Sequence, residues 1–238
     1  MKVLGVIPAR GGSTRLPRKN VLPLNGIPLI AYMIKAASAC KRLDHVIVST
    51  EDDEIKQIAK KYGADVPFKR PSHLAENYAM DADILLHAID WFEEHENICF
   101  DVVVHLQPTT PFILPETIDK CVASLDNPNL NSSFAARVAS EPPQWMFNTN
   151  EEGIASPILG KEITGEATHT QLLDKVFLPT GGAYAVRVPI LREKKSLYAD
   201  PKCLVEMDWD RAVDIDEDLD LMYAEAVAKK YNIRLIGE

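Results

Sequence analysis

Val3-Leu4-Gly5-Val6-Ile7-Pro8, followed without a break by Ala9-Arg10-Gly11-Gly12-Ser13-Thr14-Arg15-Leu16-Pro17-Arg18-Lys19-Asn20, is the stretch that decides the fold. The apolar run does not alternate with polar residues, so it reads as a strand covered on both faces, the signature of a parallel sheet. Pro8 ends the ladder, and the glycine pair then gives the loop backbone freedom to bring its N–H groups close to an anion. Arg10, Arg15, Arg18 and Lys19 are expected to bring positive charge to the same place. The loop is neither a Walker loop, because G-x-x-x-x-G-K-[ST] is absent, nor the G-x-G-x-x-G dinucleotide fingerprint.

Working outward, Pro28 opens a helical stretch from Leu29 to Ala37, and His45-Val46-Ile47-Val48-Ser49-Thr50 is a second strand. Glu51 to Glu54 place acids where a helix N-terminus favours them, and that helix stops at Gly63. A helix carrying Ile84, Leu85, Ala88, Ile89 and Phe92 leads to a strand over Asp101–Leu106. The loop Gln107-Pro108-Thr109-Thr110-Pro111 and a helix from Pro115 to Leu125 follow. Strand–helix alternation predicts an α/β fold with a doubly wound, mostly parallel sheet, whose ligands sit beyond the carboxyl ends of the strands. The basic loop and the Gln107–Pro111 loop both open on that edge. From about Ser140 to Phe177 the rhythm breaks into a polar excursion containing Trp145-Met146-Phe147, a core anchor or an interface element. Regular structure resumes at Gly181-Gly182-Ala183-Tyr184-Ala185-Val186, and a last helix spans Leu219–Tyr231. Ile233–Ile236 is expected to form a final strand. We read residues 1–238 as one domain with the excursion 140–177 inside it.

Of the 238 residues 46% are hydrophobic and 26% charged, an ordinary globular composition. Nothing approaches the ~20 apolar residues that cross a bilayer, and no signal peptide precedes the first strand, so a cytoplasmic protein is expected. Cys40, Cys99, Cys121 and Cys203 lack C-x-x-C spacing, which argues against disulfides or structural zinc. The net charge of −9 argues against a general nucleic-acid surface. Yet residues 1–43 hold eight Lys and Arg and no acid, leaving 18 basic against 35 acidic residues in the remainder. A cationic start on an acidic chain points to a small polyanion.

The second chemical feature is acidic. In Val213-Asp214-Ile215-Asp216 the two carboxylates flank an apolar residue and share one face of an extended segment. Such a pair suits Mg²⁺, which completes its oxygen shell with water and substrate phosphates. Glu217, Asp218 and Asp220 stand where the last helix begins and are assigned to its N-terminus. Basic glycine loop and paired carboxylates together describe phosphoryl or nucleotidyl transfer.

Ile7-Pro8-Ala9-Arg10-Gly11-Gly12-Ser13 with Leu16-Pro17-Arg18-Lys19-Asn20 resembles the N-terminal signature of the acylneuraminate cytidylyltransferases, the CMP-sialic acid synthetases. Arg70-Pro71 with Leu74-Ala75, Leu106-Gln107-Pro108-Thr109-Thr110-Pro111 and Val213-Asp214-Ile215-Asp216 resemble three further segments of that family, in order along nearly the whole chain. The resemblance implies a nucleotidyltransferase fold that joins CMP from CTP to a 2-keto acid sugar of the sialic, legionaminic or pseudaminic type, releasing pyrophosphate. It also implies roles. Arg10, Lys19 and Asp216 would be catalytic, and Ala9, Arg10, Gly11, Gly12, Ser13, Asn20 and Arg70 would hold the nucleotide. Gln107 and Gln171 would face the sugar, and Asp214 and Asp216 would carry Mg²⁺. A homodimer is implied as well, with the 140–177 excursion crossing to the partner and helping close its sugar pocket.

Three departures stand out. Thr14 replaces a common Lys, and Ser13-Thr14-Arg15-Leu16-Pro17 resembles the related KDO cytidylyltransferases, with Arg15 as the compensating charge. His169-Thr170 stands before Gln171 where an Arg pair is common, and Gly181-Gly182 where Asn-Gly is usual. KDO cytidylyltransferase, a sugar-1-phosphate nucleotidyltransferase and a non-catalytic nucleotide-binding scaffold are the alternative readings. His45, His87 and His95 lack metal-ligand spacing. His73 and His105 fall nearer the expected site, but the sequence names no general base.

Overall fold

The computed structural model describes residues 1–237; the side chains of Glu166, Ala167 and Thr170 also lie outside the described residues, and with them the Thr170 half of the His169-Thr170 departure. The strands are β1 (Val3–Pro8), β2 (Pro23–Leu24), β3 (Ile27–Pro28), β4 (His45–Ser49), β5 (Val102–His105), β6 (Ser132–Val138), β7 (Phe147–Thr149), β8 (Ala155–Pro157), β9 (Phe177–Arg187) and β10 (Lys202–Glu206). The helices are α1 (Leu29–Ser38), α2 (Asp53–Lys61), α3 (Asp81–His95), α4 (Pro115–Ser124), α5 (Val188–Lys194) and α6 (Asp218–Tyr231).

Six strands form one sheet in the order β10-β6-β9-β5-β1-β4. β1 runs parallel to β4 and β5, β10 runs parallel to β6, and β9 runs antiparallel to β5, so the sheet is mixed but mostly parallel. Side-chain alternation feeds two cores. Val3, Ile7, Val102 and Val104 meet α1, α2 and α4 on one face. Leu4, Val6 and Val103 meet α3 and α5 on the other. Helices on both faces explain why β1 and β5 read as unbroken apolar runs.

Local chemistry places the element ends. Asp52 caps α2, accepting from the Glu54 and Ile55 N–H groups at 3.0 Å each. Asp220 accepts from the Asp216 and Glu217 N–H groups at the start of α6. At its far end α6 stops at Asn232, held at φ 51°. The expected strand over Ile233–Ile236 is not formed. The Ile233 N–H bonds back to the Ala228 carbonyl, and Leu235 plugs a third apolar cluster with Leu16, Tyr32, Phe112, Val213 and Ile215. These apolar residues seal a core instead of joining a ladder.

The chain divides into two compact units, Met1–Ala136 with Pro179–Glu238, and Arg137–Leu178. The second encloses the expected excursion. Its β7 and β8 form an antiparallel hairpin, and its ends are joined by the Ala139 N–H to the Val176 carbonyl at 2.9 Å. Trp145, Met146 and Phe147 are 38%, 43% and 51% exposed, so they do not anchor a core. Among the described residues no helix is long and apolar enough to cross a membrane.

Candidate active site at the carboxyl edge of the sheet

Beyond the carboxyl ends of β1 and β5 lies a cleft of about 340 Å³, lined entirely by residues of the larger unit. Its first wall is the basic loop. The Ala9 N–H continues the β1–β4 pairing by donating to the Ser49 carbonyl at 3.0 Å, and the buried Asn20 amide ties the loop base to the Arg10 carbonyl at 3.0 Å. Leu16 pins the loop tip into the cluster that holds Val213 and Ile215. Sharing that cluster helps bring the basic and acidic segments together: Val213 and Ile215 face inward, while Asp214 and Asp216 line the cleft. The Ile215 N–H fixes the segment by donating to the Thr109 carbonyl at 2.9 Å.

Asp216 is the junction. Lys19 Nζ lies 2.8 Å from its Oδ1 and Arg15 Nη2 lies 2.8 Å from its Oδ2. Burial alone would raise its pKa, but the Lys19 hydrogen bond and the charges of Lys19 and Arg15 hold it below the ordinary carboxylate value. Asp214 goes the other way. Crowding by surrounding atoms raises it first, a hydrogen bond with the Thr109 side chain opposes this, and the charge of Asp216 raises it further. Water still reaches Asp214, so it is a poorly solvated carboxylate and not a sealed one.

Arg70 is 3% exposed and lines the same cleft. Its Nη1 donates to the Leu74 carbonyl at 3.3 Å, and its Nη2 lies 3.5 Å from Glu51 Oε2. Among the described residues neither its Nε nor its Nη2 has a hydrogen-bond partner. Burial pushes its pKa down, Glu51 resists, and the charge of nearby Arg10 lowers it again. Glu51 Oε1 meanwhile accepts the Gly11 N–H at 2.8 Å. One carboxylate thus links the glycine loop to the buried guanidinium.

Arg10, Ser13, Lys19, Asn20, Arg70, Gln107, Asp214 and Asp216 all line this cleft, joined by Arg15. Ala9, Gly11 and Gly12 do not: Ala9 is fully buried, and the Gly11 N–H is engaged by Glu51. Gln171 belongs to the 137–178 unit. Arg18 is a correction to the expected cationic set. It sits at φ 58° and binds Asp52 and Glu54, so its charge serves the first turn of α2 and not the cleft. Thr14 is exposed and off the lining, whereas Arg15 supplies the cation there. Gly181, at φ +79°, has a further use: a Cβ on it would stand 2.5 Å from Gln107 Oε1, so its missing side chain is the space Gln107 occupies.

Glu51, Asp81 and His105 are among the lining or linking residues that sequence reasoning did not assign. Position was the available signal, since Glu51 and His105 stand at or just beyond the carboxyl ends of β4 and β5, the two parallel strands that flank β1.

Comparison with known proteins gives the family. A family model described as cytidylyltransferase matches residues 4–225. The chain is 32% identical over 229 residues to a CMP-N,N'-diacetyllegionaminic acid synthase of Legionella pneumophila, covering 94% of this chain and 95% of that one. It is 30% identical over 229 residues to a pseudaminic acid cytidylyltransferase of Campylobacter jejuni, covering 96% and 97%. Among solved structures, a CMP:2-keto-3-deoxy-manno-octonic acid synthetase complexed with CTP superposes with a TM-score of 0.70 at 20% identity, covering 97% of this chain and 100% of that one, a likeness of fold. A family model spanning nearly the whole chain, with full-length relatives beside it, settles the membership: this chain belongs to the cytidylyltransferase family.

Proposed function

We propose that the chain transfers CMP from CTP to the anomeric hydroxyl of a 2-keto-3-deoxy acid sugar of the sialic, legionaminic or pseudaminic type. The observation that carries this reading is the convergence on Asp216: two loop cations are held by a carboxylate that lines one cleft with Asp214, Arg10, Arg70 and Gln107. In the transfer the hydroxyl oxygen bonds to the α-phosphorus, the bond to the departing pyrophosphate breaks, and the hydroxyl proton is released. Arg10, Arg15 and Lys19 are placed to take up the negative charge that grows on the pyrophosphate. Arg70, whose Nε and Nη2 lack hydrogen bonds among the described residues, is placed to accept the nucleotide, and Gln107, seated over Gly181, to face the sugar.

The donor set fits Mg²⁺. Asp214 and Asp216 provide two carboxylates on the cleft wall, a donor set that Mg²⁺ completes with water and substrate phosphates. Asp214 and Asp216 would hold Mg²⁺, which when bound would supply charge neutralisation in the transfer. Lys19 and Arg15, both beside Asp216, would stand next to that metal as the cations available to the triphosphate.

The Arg137–Leu178 unit exposes Trp145, Met146, Phe147, Ile158, Leu159 and Leu172, an apolar surface suited to a second copy of the chain. We assign it to a homodimer contact that also brings Gln171 to the partner's sugar, and we place the enzyme in the cytoplasm, in keeping with its four free cysteines. The decisive assay is pyrophosphate release with CTP and a panel of N-acetylneuraminic, N,N'-diacetyllegionaminic, pseudaminic and KDO sugars beside a sugar 1-phosphate. Turnover with a nonulosonic acid is expected. Turnover with KDO alone would move the substrate to that sugar, and turnover with the 1-phosphate alone would overturn the reading.

A further inference from the structure

His105 ends β5 and is completely buried, yet among the described residues neither ring nitrogen has a hydrogen-bond partner. Asp81 Oδ1, at the first turn of α3, lies 3.5 Å from Nε2. Both residues line the cleft. Buried polar groups are nearly always satisfied, so an imidazole in a pocket wall whose two buried nitrogens lack partners calls for a ligand that presses in against it.

The position along the strand says which part of the substrate that is. His105 and Gln107 are two residues apart where the strand gives way to the loop, so they fall to the same side. His105 is paired in register with Tyr184 on β9, the strand that carries Gly181 beneath Gln107. Asp81 is the charged group beside the ring, and it also acts on Arg70 across the cleft wall. Burial keeps the imidazole neutral, with one donor and one acceptor, and a hydroxyl is the group that can meet either tautomer.

We propose that His105, steadied by Asp81, is a specificity-determining residue that hydrogen-bonds a hydroxyl of the acid sugar. The proposal rests on the cytidylyltransferase reading above.

The test compares wild type, His105→Leu and His105→Gln in steady-state assays with CTP and whichever acid sugar the wild type uses. Replacing an unpaired buried imidazole by a leucine should leave the fold intact, visible as an unchanged or higher melting temperature. The KM for the sugar should rise about tenfold or more, the KM for CTP should stay within about twofold, and glutamine should restore part of the loss. As a second readout, ring ¹⁵N resonances of His105 should move when sugar is added to the CTP-loaded protein and not with CTP alone. An unchanged sugar KM in His105→Leu, or a ring signal that answers to CTP alone, overturns the proposal while leaving the function standing. A wild type that neither binds CTP nor releases pyrophosphate overturns the function, and the proposal with it.

Discussion

Asp216→Asn separates the chemistry of the cleft from its stability, and the structure sets the size of both effects. The substitution keeps the shape but removes the charge that Lys19 and Arg15 share at 2.8 Å each. The Arg15 side chain is 63% exposed, so its pair contributes at most about 1 kcal/mol. The Lys19 side chain is only 14% exposed, but an amide oxygen still accepts its hydrogen bond, so a further loss of about 1 kcal/mol is expected. The sum, about 1–2 kcal/mol, lowers the melting temperature by a few degrees and leaves the protein folded at room temperature. Catalysis should fall much further. Losing a preorganised charge at the transferring phosphate costs on the order of 10²–10³ in kcat, about 2.7–4 kcal/mol. Pyrophosphate release, measured against Mg²⁺ concentration, should show that drop together with a weaker Mg²⁺ requirement. The pH dependence supplies a second check. Asp216 is held below its unfolded pKa, so the stability it adds is complete above that value and disappears as pH falls through the folded one. The melting gap between wild type and variant should therefore be full at neutral pH and close below about pH 4. Turnover within fivefold of wild type, with the same Mg²⁺ dependence, would remove Asp216 from the mechanism.

Asp214→Asn should do the reverse to stability. Its pKa is raised by crowding and by Asp216, so at neutral pH its ionised form costs the fold free energy that the amide does not, and the benefit disappears below the unfolded pKa. Without nucleotide the variant should melt higher than wild type at pH 7 and equally below about pH 4, yet be inactive; a lower melting point at pH 7 would contradict the assigned environment. Arg18→Ala should cost about 1 kcal/mol through the lost contacts to Asp52 and Glu54 and leave the KM for CTP within about twofold, whereas Lys19→Ala should impair turnover. Equal damage to turnover from both would return Arg18 to the site. Gly11→Ala places a Cβ 2.5 Å from Asp52 Oδ2 and 3.0 Å from Arg18 Nη1, so it should lose about 1–3 kcal/mol in denaturant titration, while Gly12→Ala, with open space around it, should lose almost nothing.

The sheet was legible because β1, β4 and β5 are covered on both faces and carry that fact as uninterrupted apolar runs. The acid pair was legible because alternation in Val213-Asp214-Ile215-Asp216 sends Val213 and Ile215 inward. Arg18 was misread because composition counts cations without showing where each side chain turns, and a left-handed backbone at that residue points it toward α2. Ile233–Ile236 was misread because hydrophobicity marks burial and not hydrogen bonding, and these residues bury against a cluster with no ladder beside them. Glu51 and His105 escaped for a third reason. Their meaning lies in contacts across the chain, Glu51 with Gly11 and Arg70, and His105 with Asp81.

The contact between Lys19 and Asp216 spans 197 positions of sequence. Closing a loop of that length costs more chain entropy than forming the local helices and adjacent strand pairs. The cleft is complete only when Leu16 joins the cluster that holds Val213 and Ile215. Until Asp216 is in place, Lys19 and Arg15 lack the carboxylate they share, whereas Arg18 already has Asp52 and Glu54. Activity in this protein is a report that segments 197 positions apart have met.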